Sequence, residues 1–147
     1  MKNGIRRAGT RDWPRVRELL VLAELPVNDL AAERMGDFLV WVGGDGSPGA
    51  AIGLERYGEV ALLRSLVVAQ ASRGAGLGSR LVAELEDVAR TDGLHELWLL
   101  TNDADGFFAK LGYRVVNRAD APKAVQGSPE FSSICPASAI LMMKKLA

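Results

Sequence analysis

Residues 64–79 read RSLVVAQASRGAGLGS, and no other stretch says as much about the fold. An apolar run, Leu66-Val67-Val68, gives way to a short polar connector. Arg73-Gly74-Ala75-Gly76-Leu77-Gly78-Ser79 then opens a helical pattern. Glycines on alternate positions leave main-chain N–H groups uncovered at the helix start. Those N–H groups have no intrahelical partner and sit at the positive end of the helix dipole, so the place suits a phosphate or pyrophosphate. Arg73 adds a fixed positive charge. A strand, a short turn and a phosphate-accepting helix start are therefore expected here.

The elements around this centre follow from periodicity and punctuation. Ile5 to Ala8 reads as a strand, with Thr10 and Asp12 as N-cap candidates ahead of Pro14. Val16, Leu19, Leu20 and Ala23 recur at helical spacing up to the stop at Pro26. A second short helix is expected over Asp29 to Met35. Phe38 to Val42 is a strand, and Ala50 to Tyr57 with Val60 to Val68 form a hairpin around Gly58-Glu59. Leu77, Leu81, Leu85 and Val88 line one face of a helix from Gly76 to Thr91, with Arg80 and Glu84 outside and Asp92-Gly93 as a left-handed cap. Leu97 to Leu100 is a strand, Asp105 to Lys110 a short helix and Tyr113 to Val116 a strand. Residues 118–138 are irregular with a helical turn near Ala121 to Val125, and Ala139 to Lys144 is the last strand. The order β-α-α-β-β-β-α-β-α-β-β specifies a mixed α/β domain over 1–147, with a mostly antiparallel sheet rather than a doubly wound parallel one.

Composition narrows the function classes. The chain has 147 residues, 48% apolar, with Lys plus Arg equal to Asp plus Glu. A balanced charge gives no bulk case for nucleic acid or an anionic membrane. One cysteine excludes an internal disulfide, and with a single histidine it argues against a Cys/His metal site. No apolar stretch approaches membrane-spanning length, and MKNGIRRAGT lacks the apolar segment of a secretion signal. A cytoplasmic location is the default expectation.

Three phosphate-loop patterns compete for residues 73–79. A Walker A loop needs Gly-Lys-Ser/Thr at its end, and Gly78 is followed here by Ser79 and Arg80. A dinucleotide fingerprint needs its first glycine tight against the strand and its third glycine three residues after the second. Here the connector after Val68 is long and the glycines run 74, 76, 78. The remaining pattern, Gln/Arg-x-x-Gly-x-Gly/Ala, is met by Arg73, Gly76 and Gly78.

With this block the chain resembles the GCN5-related N-acetyltransferases (GNAT), whose element order it shares. A second block agrees: Thr101-Asn102, Ala104 and Phe107-Phe108-Ala109-Lys110-Leu111-Gly112-Tyr113 look like the family segment after the fifth strand. The resemblance implies a GNAT-like acyl-CoA N-acyltransferase fold with a twisted sheet flanked by helices, and acetyl-CoA as cofactor. Arg73, Gly74, Ala75, Gly76, Leu77, Gly78 and Ser79 would hold the pyrophosphate, and Leu66, Val67 and Val68 the pantetheine. Asn102, Phe107 and Phe108 would close the cofactor site. The chemistry fits. If Leu66 to Val68 splay away from Leu97 to Leu100, their free N–H and C=O groups can pair with the two pantetheine amides as an added strand would. An N–H at Leu66 or Val67 can stabilise the oxyanion that develops on the acetyl carbonyl.

Catalytic side chains are less sharply marked. Glu55, inside the apolar strand GLERY, is a candidate base; the competing reading is an outward residue paired with a surface arginine. Glu59 reads as a turn residue. The family's usual acid is a tyrosine at the position matched by Phe108, which cannot donate a proton. Tyr113 and Tyr57 are substitute candidates, with packing as the alternative for both. Arg64 and Ser65 fall on opposite faces if the strand alternates, and both are acceptor-binding candidates. For Arg64 a structural ion pair competes with that role. Cys135 is a further acceptor-side candidate, against a buried inert thiol.

Leu63-Arg64-Ser65-Leu66, Gly106-Phe107-Phe108, Cys135-Pro136-Ala137-Ser138 and Leu25-Pro26…Asp29-Leu30 together resemble a subfamily associated with bacterial arsenic-resistance operons. That narrower resemblance implies a small amine acceptor, with organoarsenicals among the candidates. The expected activity is direct acetyl transfer in a ternary complex with no metal. A CoA-sensing domain without turnover and a protein N-acetyltransferase are the alternatives. A homodimer is a candidate assembly for such folds.

Overall fold

The computed structural model describes residues 4–131 and 139–146. Its strands are β1 (Ile5–Arg7), β2 (Phe38–Val42), β3 (Pro48–Tyr57), β4 (Val60–Val68), β5 (Glu96–Thr101), β6 (Arg114–Val116) and β7 (Ile140–Lys145). The helices are α1 (Trp13–Leu22), α2 (Leu77–Thr91), α3 (Asp105–Lys110) and α4 (Lys123–Gln126). The strands follow the order β1-β2-β3-β4-β5-β7-β6 in one seven-stranded sheet. This is the expected mixed α/β architecture. The chain divides into two compact units, Met1–Leu54 with Ser65–Val88, and Glu55–Arg64 with Ala89–Ala147.

In the first unit β1 and β2 pair antiparallel, as do β2 and β3. Val16, Leu19 and Leu20 project from α1 at helical spacing and bury against Met35, Phe38, Val40, Ala51 and Val67. Removing such apolar surface from water is the main force holding the helix to the sheet. Phe38 is registered opposite Gly53. A Cβ at Gly53 would lie 2.5 Å from the Phe38 ring, so the aromatic side chain occupies the space that glycine leaves. Asp12 is buried and accepts hydrogen bonds from the Gly9 N–H at 2.8 Å and from both Arg6 terminal nitrogens at 2.9 and 3.0 Å. Its carboxylate therefore ties β1 to the start of α1; the side chain makes no cap on α1.

In the second unit β5 pairs antiparallel with β7, and β7 antiparallel with β6. Val60, Ala61 and Leu62 of β4 pair in parallel with Glu96, Leu97 and Trp98 of β5. The core joins Leu62, Trp98, Leu141 and Met143 to Ala121 and Val125.

Two expectations are corrected. The segment expected as a helix over 29–35 is a 3-10 helix at Ala32–Asp37, in which the Arg34 N–H reaches back only to Ala31 at 2.9 Å. The tighter turn satisfies the backbone of this short connecting segment. Alternation along β4 is broken at Ser65, whose φ of 60° is left-handed. Arg64 and Ser65 therefore cannot be assigned to opposite faces by simple period-two counting. The α2 face also differs in detail: Val82, Glu86 and Ala89 are buried beside Leu77, Leu81 and Leu85. The cap after α2 is as expected, with Gly93 at φ 83° and the Leu94 N–H on the Ala89 carbonyl at 2.9 Å.

Candidate functional site

Between β4 and α2 the chain makes a tight connection. Gln70–Ser72 forms one 3-10 turn, and the Ser72 N–H donates to the Ala69 carbonyl at 2.8 Å. The Ala69 N–H donates to the Gly49 carbonyl at 2.8 Å, which pins the turn to the start of β3. Arg73 then folds back, and its Nε donates to the Val68 carbonyl at 3.1 Å. Gly74 and Gly76 have φ of 92° and 73°, a backbone that L side chains rarely adopt. A Cβ built on either meets nothing within 4 Å, so the space in front of both is open. The first helical bond runs from the Arg80 N–H to the Gly76 carbonyl at 3.1 Å. The N–H groups of Leu77, Gly78 and Ser79 thus precede the hydrogen-bonded ladder. Arg73, Gly74, Ala75, Gly76 and Ser79 are exposed, Gly78 is half-buried and Leu77 is buried. An exposed turn with leading N–H groups and an adjacent guanidinium is chemically equipped to receive an anion.

Upstream of this turn, Leu66 and Val68 are half-buried and Val67 is buried. β4 runs on through these residues beyond its last registered pair with β5, Leu62 with Trp98.

Arg64 is a buried ion-pair residue. Its two terminal nitrogens lie 3.4 Å from Glu55 Oε1 and 3.2 Å from Glu130 Oε1. The side chains of Arg64, Glu55 and Glu130 are only 1%, 6% and 6% exposed, so solvent screens this cluster little. Glu55 is thus neither an outward-facing residue nor paired with a surface arginine. Glu130 escaped the sequence reading. A signal existed for it: an arginine inside the apolar run Ala61–Leu66 must find a carboxylate, and the irregular segment 118–138 offered Asp120 and Glu130.

The second block is assembled around aromatic rings. The Ala104 N–H donates to Thr101 Oγ1 at 3.0 Å at the entry to α3. Phe108 is buried and meets Phe107 edge-to-face at 5.0 Å and Tyr113 at 5.5 Å. Tyr113 is 3% exposed, with the Lys144 ammonium 5.5 Å from its ring centre. The geometry around Tyr113 is that of a packed core ring. Phe107 is half-buried and Asn102 is exposed. Cys135 lies outside the described residues. Among the described residues no cluster of three or more His, Cys, Asp or Glu could hold a metal ion. Among the described residues no helix is long and apolar enough to cross a membrane.

The chain is similar to known proteins. Residues 5–113 match the model of the acetyltransferase (GNAT) family. The chain is 44% identical over 54 residues to mouse N-alpha-acetyltransferase 80, covering 37% of this chain and 17% of that one. It is 33% identical over 67 residues to an uncharacterised N-acetyltransferase of Chlorobaculum tepidum, covering 46% of this chain and 43% of the relative. The matched stretch is thus less than half the length of either curated relative. A Mycobacterium tuberculosis protein solved in complex with CoA superposes with a TM-score of 0.83 at 24% identity, over 97% of this chain and 99% of that one.

Proposed function

Because the chain belongs to the GNAT acetyltransferase family, we propose that it is an acetyl-CoA-dependent N-acetyltransferase acting on the amine of a small molecule. One observation carries this reading: the exposed turn Arg73–Gly76, with open space at both left-handed glycines, leads directly into the helix start at Leu77. That surface fits a diphosphate. In this reading Arg73 and the N–H groups of residues 74–79 hold the diphosphate of CoA, and the backbone of Leu66, Val67 and Val68 pairs with the pantetheine amides. Asn102 and Phe107 are assigned to the cofactor by the family motif alone.

The cofactor supplies an activated acetyl thioester. The acceptor's neutral amine attacks its carbonyl carbon, the C–S bond breaks and the proton lost by the nitrogen passes to solvent. A backbone N–H at Leu66 or Val67 stabilises the carbonyl oxygen as charge develops there. A thiol with a pKa near ~8.5 leaves readily as thiolate, so the phenylalanine at 108 does not block the chemistry. The reading assigns no side-chain base, because Glu55 is buried and held by Arg64. The single cysteine fits a reducing, cytoplasmic compartment.

The test is release of free CoA thiol from acetyl-CoA with a panel of small amines, including organoarsenical amines and an N-terminal peptide. Amine-dependent release is the expected result. Saturable CoA binding with no release on any amine would overturn the transferase reading in favour of a CoA sensor. Release on the peptide alone would replace the small-molecule acceptor by a protein one.

A further inference from the structure

At its start β3 carries one residue more than β2 can pair. Trp41 is registered with Ala50 and Val42 with Pro48, which leaves Gly49 as the extra residue of a bulge. Gly49 is buried, and two separate segments converge on the place where its side chain would stand. A Cβ there would lie 2.9 Å from Trp41 Cζ3 and 3.1 Å from Ser72 Oγ. The same indole crosses Gly43, where a Cβ would lie 2.8 Å from Trp41 Cη2. Gly49 is not among the left-handed glycines, so close approach rather than backbone conformation requires the missing side chain.

These contacts lead to the glycine-rich turn. The Gly49 carbonyl accepts the Ala69 N–H at 2.8 Å, and the Ala69 carbonyl accepts the Ser72 N–H at 2.8 Å. Ser72 is thus held twice, by its N–H through Ala69 and by its hydroxyl over Gly49, and Arg73 is the next residue. All of these residues belong to the first unit, as does the turn itself. Beyond Arg73 a Cβ at Gly74 or Gly76 would meet nothing within 4 Å, so the direction in which the turn leaves the sheet is set before it.

We propose that Gly49 is a positioning residue for the diphosphate of the cofactor: its bulge receives Trp41 from β2 and Ser72 from the connection, and so fixes the point from which Arg73 and the N–H groups of residues 74–79 meet the ligand. This rests on the reading above that CoA binds on that turn. Hydrogen bonds weaken steeply as their geometry degrades, so donors that must converge on one anion depend on a fixed base.

The experiment compares the full chain with G49A, W41L and G49A/W41L. It measures CoA binding by titration calorimetry, acetyl-pantetheine binding by NMR titration and amide exchange over 69–76. Acetyl-pantetheine carries the thioester arm without a diphosphate. In G49A the new methyl group displaces the indole and Ser72. CoA affinity falls about tenfold, the loss of one charge-assisted hydrogen bond. Exchange over 69–76 rises, and acetyl-pantetheine affinity is unchanged. W41L leaves the space beside Gly49 unfilled and moves the same readouts in the same direction. In G49A/W41L the methyl group takes the place of the ring, and CoA binds more tightly than in G49A, the non-additivity of residues in contact. A merely structural role predicts that G49A weakens CoA and acetyl-pantetheine by the same factor, or neither, and either result overturns the proposal. A double variant no better than G49A overturns it too. If G49A does not fold, W41L decides: an unchanged ratio of CoA to acetyl-pantetheine affinity overturns the proposal. Wild type that binds CoA no more tightly than acetyl-pantetheine overturns the reading of the turn and the proposal with it, whereas a preference for CoA that survives in G49A overturns the proposal alone.

Discussion

Arg73 Nε donates to the carbonyl of Val68 at 3.1 Å, so the residue that opens the glycine-rich turn also closes the end of β4. One side chain thereby links the strand assigned to pantetheine with the turn assigned to the diphosphate. In the proposed reading the terminal guanidinium nitrogens are the ones offered to the diphosphate, for which a planar fork is suited.

In the proposed reading Arg73→Ala removes a charge-assisted contact to the diphosphate and, with the loss of the Val68 bond, loosens the turn. CoA affinity is expected to fall about tenfold to a hundredfold, from the ~1.5–3 kcal/mol typical of hydrogen bonds to charged groups. Arg73→Lys recovers only part of this, because an ammonium cannot hold Val68 and a phosphate in one plane. Titration calorimetry with CoA measures both.

Gly76→Ala isolates backbone strain from crowding. Nothing lies within 4 Å of a Cβ at Gly76, yet its φ is 73°. The cost is therefore conformational, about 1–2 kcal/mol for an L residue held left-handed. Thermal denaturation should show that loss, and CoA binding should weaken further if the turn relaxes toward negative φ. A variant as stable as wild type would contradict the described turn.

Asp12 provides a pH signature. The Arg6 hydrogen bond, helped by the Gly9 N–H and opposed by burial, holds its carboxyl below the usual carboxylate range. A depressed folded value means that the charged form is favoured in the native state. The stability it contributes is fully present above the unfolded value of about 3.9 and is lost as pH falls through the lower folded value. Asp12→Asn should therefore melt below wild type at neutral pH, with the gap narrowing at acid pH. Melting curves from pH 2 to pH 7 check the sign.

Tyr113→Phe separates packing from proton donation. The ring is buried against Phe108, and Phe fills the same space. Transfer rate is expected to stay within about twofold of wild type, since a general acid would contribute about a hundredfold or more. Phe108→Ala removes the partner ring and should cost about 3–5 kcal/mol in chemical denaturation.

Much of this was legible in residues with strong local signals. β2, β4 and α3 begin and end where periodicity and turn residues place them, and the left-handed glycine after α2 follows from Asp92-Gly93. The left-handed glycine turn before α2 was legible for the same reason, since a glycine pattern writes its backbone requirement into the sequence. What was not legible depends on contacts distant in the chain. The partnership of Arg64 with Glu130 spans α2, β5, α3, β6 and α4, and no period announces it. The left-handed Ser65 inside β4 is imposed on a residue with no local preference for it. The 3-10 helix at Ala32–Asp37 is too short for helical periodicity to distinguish it from an α-turn.

The placement of β7 between β5 and β6 bears on how the protein is made. Both flanking strands leave the ribosome before Ile140–Lys145 does, so during synthesis each carries an open edge that only the last strand can cover. Unpaired edges of this kind invite association between nascent chains. Completion of the second unit therefore waits for β7, and chains interrupted before it would be substrates for chaperones or proteases.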